Sequence, residues 1–178
     1  RGKTSYIAPN LLNRDFNATK PNQKWVTDVT EFHLGQAKLY FSALMDLANR
    51  EIIAYQFATR PKFSMVKKML EQGLSQLSVT DCPIIHSDQG VLYGTSEWRQ
   101  MLEGKAIQSM SRRGNCYDNA VIESFFGILK SECFYNRNYT SIAELQAELE
   151  EYVMYYNQKR IKMDLKGLSP AQYRAQYL

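Results

Sequence analysis

Three carboxylates stand at positions that ordinary surface chemistry explains poorly. Asp28 lies inside the β-branched and aromatic run Trp25-Val26-Thr27-Asp28-Val29-Thr30-Glu31-Phe32, and Asp88 ends the short apolar run Ile84-Ile85-His86-Ser87-Asp88. Both runs read as strands, from which aspartate is depleted because its side chain competes for backbone hydrogen bonds. Glu123 sits in a segment where Val121, Ile122, Phe125, Ile128 and Leu129 recur at helical spacing and mark a buried face, and Glu123 lies off that face. There are 59 residues between the first pair and 34 between the second. A lone glutamate on a helix is usually a solvated charge, and each carboxylate alone has that bland account. Brought together, the three repel one another and need cations. Hard oxygen donors select Mg²⁺ or Mn²⁺ over zinc. Two such ions about 3.5–4 Å apart activate an attacking oxygen and stabilise the leaving oxygen in an in-line displacement at phosphorus.

The neighbours of these residues suit a phosphate-bearing polymer. Asn119, Gly127 and Lys130 share the helix face of Glu123. Gly127 lets a bulky substrate approach and Lys130 can meet a phosphate, while Asn119 serves either as a DNA contact or as part of the helix start. Arg112 and Arg113 form a basic pair just before this helix and are candidate phosphate contacts. Lys159, Arg160 and Lys162 would extend such a path. His86 precedes Asp88 by two residues and shares its strand face, so it either orients substrate or metal-bound water or is a satisfied histidine near the core. Asp46 reads as a turn residue. Tyr152, Tyr155 and Tyr156 sit at helical spacing and read as core or interface rather than as recombinase nucleophiles.

The elements that must position these groups can be read in order. Strands are expected over Trp25–Leu34, Ala37–Leu47 and Glu51–Ala58, with Gly35-Gln36 as a two-residue hairpin turn. Phe63, Val66, Leu70, Gly73 and Leu77 predict a helix over 63–77. A short strand at Ile84–His86, a helix at Ser96–Glu103 and a fifth strand at Ala106–Met110 follow. Asn115, with Asp118 three positions on, is a candidate cap for the Glu123 helix, which runs to about Cys133. Ser141-Ile142-Ala143-Glu144 matches a capping box and opens a long helix with Ile142, Leu145, Leu149, Val153 and Tyr156 inward. Ser169-Pro170 starts a last short helix. A three-stranded meander followed by strands separated by helices predicts a mixed α/β sheet, strands 4 and 5 running parallel to strand 1. Residues 1–22, with Pro9, Pro21 and scattered basic and amide side chains, read as an extended arm or linker; residues 23–178 form the folded domain.

Bulk properties set bounds. The chain has 178 residues, 44% hydrophobic and 22% charged, with a net charge of +4. That is enough to build a core without staples, and its mild basicity is compatible with nucleic acid. Cys82, Cys116 and Cys133 form no C-x-x-C pair, which suggests reduced thiols of a cytoplasmic protein, each read as a small buried hydrophobe. With only His33 and His86, a Cys/His zinc site is not expected. No apolar run approaches the ~18 residues a membrane span needs. Because the chain opens on Arg1, a longer parent protein is expected.

Thr27-Asp28-Val29-Thr30, His86-Ser87-Asp88-Gln89-Gly90 and the long run Ser109-Met110-Ser111-Arg112-Arg113-Gly114-Asn115-Cys116-Tyr117-Asp118-Asn119-Ala120-Val121-Ile122-Glu123-Ser124-Phe125-Phe126 resemble one family. They look like the integrase core of DDE transposases and retroviral integrases, and in particular bacterial insertion-sequence transposases of the copy-out, paste-in kind. The likeness runs from about Asn10 to the C-terminus. It implies an RNase H-like α/β fold, a five-stranded sheet in the order 3-2-1-4-5 flanked by helices, in which strands 1 and 4 are neighbours. It further implies Asp28, Asp88 and Glu123 as catalytic carboxylates holding two Mg²⁺ or Mn²⁺ ions, Asp28 bridging them, and Lys130 on the terminal DNA backbone. The expected partners are insertion-sequence ends, target DNA, further copies of the chain on that DNA, and a DNA-end-binding region preceding Arg1; no membrane is involved. Metal-dependent 3′-end cleavage and strand transfer are the implied reaction. An RNase H-like nuclease and a non-catalytic assembly module are the other readings.

Overall fold

The computed structural model describes residues 6–178, apart from the Cys116 side chain. Strand β1 (Lys24–Leu34) turns through Gly35-Gln36 into β2 (Ala37–Asp46), with Leu34 opposite Ala37 and Gly35 at a φ of 58°. Glycine reaches that left-handed value without the clash a Cβ would bring. A second short turn leads to β3 (Glu51–Ala58), also antiparallel. Helix α1 (Phe63–Leu74) then crosses over to β4 (Ile84–Ser87), which pairs parallel with β1. Helix α2 (Ser96–Leu102) leads to β5 (Ile107–Met110), parallel to β4. The sheet order is β3-β2-β1-β4-β5, as expected.

Alternation along β1 and β2 divides the core in two. Trp25, Leu44, Ala54 and Ile85 face α1 and α2, where Met69, Leu70 and Trp98 are fully buried. Val26, Phe32, Phe41 and Met45 face the opposite way, against α3 (Ala120–Cys133) and α4 (Ile142–Gln158). Phe125 is the hinge of that second layer, its ring 4.8 Å from Tyr156 and 6.5 Å from Phe41. Helix α5 (Pro170–Tyr177) closes the chain with a complete capping box at Ser169 and Gln172. Among the described residues no helix is long and apolar enough to cross a membrane.

Several expectations need correction. Helix α1 stops three residues short of Leu77, because Gln76 and Leu77 donate to carbonyls only three residues back and tighten the chain into turns. Val121 and Ile128 are half-buried, whereas Phe126 is buried in their place. Cys82 is exposed rather than a small core residue; Cys133 is buried. Ser141 caps α4, but Glu144 reaches past it to the Thr140 amide and hydroxyl. The segment from Tyr6 to Asn22 has no regular structure, yet part of it packs closely. Ala8 and Leu12 are buried, and the Met110 amide donates to the Pro9 carbonyl.

Gly73 shows how tight the first layer is. A Cβ there would collide with the Leu44 Cδ2 atom, and Leu44 is fully buried. Gly73→Ala gains up to about 1 kcal/mol of helix propensity but overpacks the core at about 1–3 kcal/mol. Chemical denaturation is expected to show a net loss of about 1 kcal/mol; a stabilised variant would mean that Leu44 can move aside.

Candidate active site

The parallel register of β1 and β4 builds the site. Trp25 lies opposite Ile85 and Val26 opposite His86. Two residues further along each chain come Asp28 and Asp88, at the carboxyl end of the parallel pair, where α/β sheets place their crevices. Alternation puts Asp28 on the same face as Val26 and Phe32, the face that α3 covers. Glu123 occupies the first turn of α3 and is exposed. The amide of Asn119, at the start of α3, donates to the Thr27 carbonyl at 3.4 Å, tying that start to β1 beside Asp28.

The three carboxylates feel one another. Burial first, then the Asp88 charge, push Asp28 up to about 7; the Val29 amide, donating to its carboxylate at 2.8 Å, works against this, and Glu123 adds to the rise. Burial and then Asp88 also raise Glu123. Tyr93, buried nearby, is held well above the usual phenol range by burial first and then by Asp28. Asp88 Oδ1 accepts the Gly90 amide at 2.8 Å. A Cβ at Gly90 would fall 2.7 Å from that oxygen, so the turn that aims Asp88 needs glycine's missing side chain. The sequence motif contains Gly90 without revealing this role.

A cavity of about 480 Å³ opens here, lined by Asp88, Glu123, Asn119, Arg113, Gly114 and Ser111 among others. Among the described residues no three His, Cys, Asp or Glu side chains converge closely enough to form a ready-made metal site. In kind the donors fit a hard divalent cation. They are oxygen donors whose mutual repulsion a cation would relieve, and beside them the buried Asn119 Oδ1 has no partner.

The other predicted residues divide. Arg113 lines the cavity and forms no ion pair with any described residue. Arg112 also lines it, but its guanidinium is bound to Asp118 at 2.9 and 3.0 Å. Asn119 is 2% exposed, which favours its part in the helix start over a direct DNA contact. Lys130 is half-buried, with its ammonium 5.3 Å from the Phe32 ring centroid, and burial lowers its pKa. Lys159 is exposed beyond α4, and Arg160 is clamped on Glu132 at 2.6 Å. None of these last three lines the carboxylate cavity. His86 has the surroundings of a satisfied core histidine. It is fully buried between the Ser109 and Ser111 hydroxyls at 2.8 and 3.1 Å, and burial lowers it to about 4.

Asp118 is the group that sequence reading misjudged. Asn115 makes no side-chain cap, and Asp118 is instead fully buried under Arg14, Asn10 and Arg112. Its hydrogen bond from the Arg112 side chain is the main cause that holds its carboxyl far below the usual range. A depressed carboxylate contributes stability above its unfolded pKa of about 3.9. That contribution is lost as pH falls towards the folded value. Asp118→Asn is therefore expected to lose about 2 kcal/mol at pH 7, a gap that narrows below pH ~4. Urea titrations of both proteins across pH 3–7 check this; a gap independent of pH would mean that the charge is not the cause.

Comparison with known proteins bears on the family and the fold. An integrase core domain model matches residues 18–116, and a second of the same description matches residues 123–178. The InsK protein of insertion sequence element IS150 from Escherichia coli (strain K12) is 51% identical over 177 residues, 99% of this chain and 62% of that protein. A transposase-like protein of Haemophilus influenzae is 48% identical over 179 residues, covering all of this chain and 82% of the relative. The HTLV-2 integrase catalytic core domain, solved in complex with magnesium, superposes with a TM-score of 0.65 at 15% identity, over 86% of this chain and 97% of that one. That likeness establishes an RNase H-like fold. The chain belongs to the integrase core domain family, within the superfamily of DDE transposases and integrases.

Proposed function

We propose that this chain is the catalytic core of an insertion-sequence transposase that cleaves DNA at the 3′ ends of its element and joins those ends to a target. The observation that supports this best is the register that brings Asp28 and Asp88 to the same end of the β1–β4 pair, with Glu123 in the first turn of α3 close enough that, after burial and the Asp88 charge, its charge also raises Asp28. Asp28, Asp88 and Glu123 would hold Mg²⁺ or Mn²⁺. When bound, such ions supply Lewis-acid activation of the attacking water or 3′-hydroxyl and stabilise the leaving oxygen.

The remaining work falls to the chain's own groups. Arg113, which lines the cavity with Asp88 and Glu123, would meet a DNA phosphate there. Gly127, exposed on α3 with open space where a Cβ would stand, leaves a path for the duplex past Glu123. The raised Asp28 carboxyl holds a proton more readily than an ordinary aspartate, and cation uptake would displace that proton. The chain spans 62% of the length of the InsK relative, so end recognition is assigned to parts of a longer protein. Strand transfer brings two DNA ends together, so we expect several copies to assemble on DNA in the bacterial cytoplasm.

The test uses the longest soluble form containing this chain, a labelled element-end duplex and Mn²⁺ or Mg²⁺, with products resolved on a denaturing gel. Asp28→Asn, Asp88→Asn and Glu123→Gln are each expected to lower cleavage and joining about 10²-fold or more. Joining that persisted in all three would sink the proposal. Nicks without joined products in the wild type would favour a nuclease of the same fold.

A further inference from the structure

The start of α3 has no side-chain cap of its own. Neither Asn115, before the short 3-10 turn Cys116–Asn119, nor Asn119, before α3 itself, makes a capping hydrogen bond. What holds this end lies elsewhere in the sequence. Asp118 Oδ1 accepts from Arg14 Nε at 2.8 Å and from Arg112 Nη2 at 3.0 Å. Its Oδ2 accepts from Asn10 Nδ2 at 3.1 Å and from the Arg112 amide and Nε at 3.0 and 2.9 Å. Two of these donors belong to the N-terminal arm, over a hundred residues away.

The arm is itself anchored, so it can transmit position. The amides of Leu11 and Leu12 donate to the Ser109 hydroxyl at 2.9 and 3.3 Å, and that hydroxyl also meets His86 Nδ1. Leu12 is buried in the core shared with α3. Asn119, the next residue after Asp118, is tied on its other side to β1 beside Asp28. The end of α3 that carries Glu123 is thus pinned between the arm and β1.

We propose that Asp118 is a positioning residue for Glu123, and that the arm sets its place through Asn10 and Arg14. The inference rests on Glu123 being a cation-holding group of the site. Asp118 touches no reacting atom in this scheme; it fixes the turn from which α3 departs. Because a carboxylate would hold a cation only when kept at coordination distance, a loosened helix start would weaken cation uptake through Glu123 before it unfolds the domain. The arm precedes the whole catalytic sheet, so anything that pulls Arg14 off Asp118, such as a competing DNA phosphate, also loosens Glu123.

The latch can be weakened gently, since the Arg14 side chain is 46% exposed. The experiment compares the wild type, Asn10→Ala with Arg14→Ala, and Arg14→Lys in the full chain. Mn²⁺ binding is followed by calorimetry, folding by thermal denaturation, and amide exchange over residues 115–125. The double variant is expected to keep a cooperative thermal transition, to need about tenfold more Mn²⁺ for half-saturation, and to exchange faster in that segment. Arg14→Lys, which retains a cation opposite Asp118, is expected to recover most of the Mn²⁺ affinity. Unchanged Mn²⁺ affinity and unchanged exchange overturn the proposal. So does weakened binding that merely follows a collapse of the thermal transition, or that Arg14→Lys leaves unrecovered. If the wild type itself took up no Mn²⁺, the metal reading would fall, and exchange alone would decide: faster in the double variant upholds the latch, equal rates overturn it.

Discussion

The site depends on the parallel pairing of β1 with β4. Parallel strands cannot be joined by a tight turn, so α1 must carry the chain across the sheet before β4 can lie beside β1. Once it does, the register sets Val26 against His86 and brings Asp28 and Asp88 to the same end of the sheet. A slip of one residue would turn Asp88 to the opposite face and separate the carboxylates. Burial of Trp25 and Ile85 on one face, and of Val26 on the other, resists that slip.

Charge is arranged against stability in the middle of this frame. Asp28 is raised by burial and by two neighbouring carboxylates, which is a cost that a core built for stability alone would avoid. The surrounding structure absorbs it. The Phe125 ring of α3 packs against Phe41 and Tyr156, and buried His86 of β4, two residues before Asp88, spans two serine hydroxyls. The basic residues show the opposite tendency. Arg112 and Arg160 are bound to carboxylates of the chain, Asp118 and Glu132, whereas Arg113 lines the cavity and pairs with no carboxylate among the described residues. Adjacent arginines of one cavity lining therefore differ in their partners, Arg112 being held by Asp118.

Much of the frame was legible in the chain because it follows local rules. β-branched and aromatic runs and the Gly35 turn marked β1 and β2, and helical spacing marked α3 and α4. Serines at 141 and 169 announced their helices, and both cap as their types predict. Boundaries slipped where a tertiary or turn interaction outweighed propensity, as at the end of α1. The same held for residue roles. His86 has the alternation of a site residue, but two serines from β5 and the segment after it satisfy its ring.

By itself the sequence determined which residue types stand on which elements: an aspartate on strand 1 and another just past the end of strand 4, a glutamate in the first turn of a helix, and a glycine at the first hairpin turn. These are consequences of backbone sterics and of hydrophobic periodicity, both local. Only the tertiary structure decided which polar groups meet. Asp118 looks like a capping residue in the sequence because caps are local, yet two arginines, one of them from the arm, offer its carboxylate stronger charge-assisted bonds than any nearby amide. That choice depends on the arm lying against Ser109, Met110 and Leu12's pocket in the core, contacts between residues about a hundred positions apart. No local pattern encodes such a contact, because it exists only after the sheet has formed and the arm has closed over its edge.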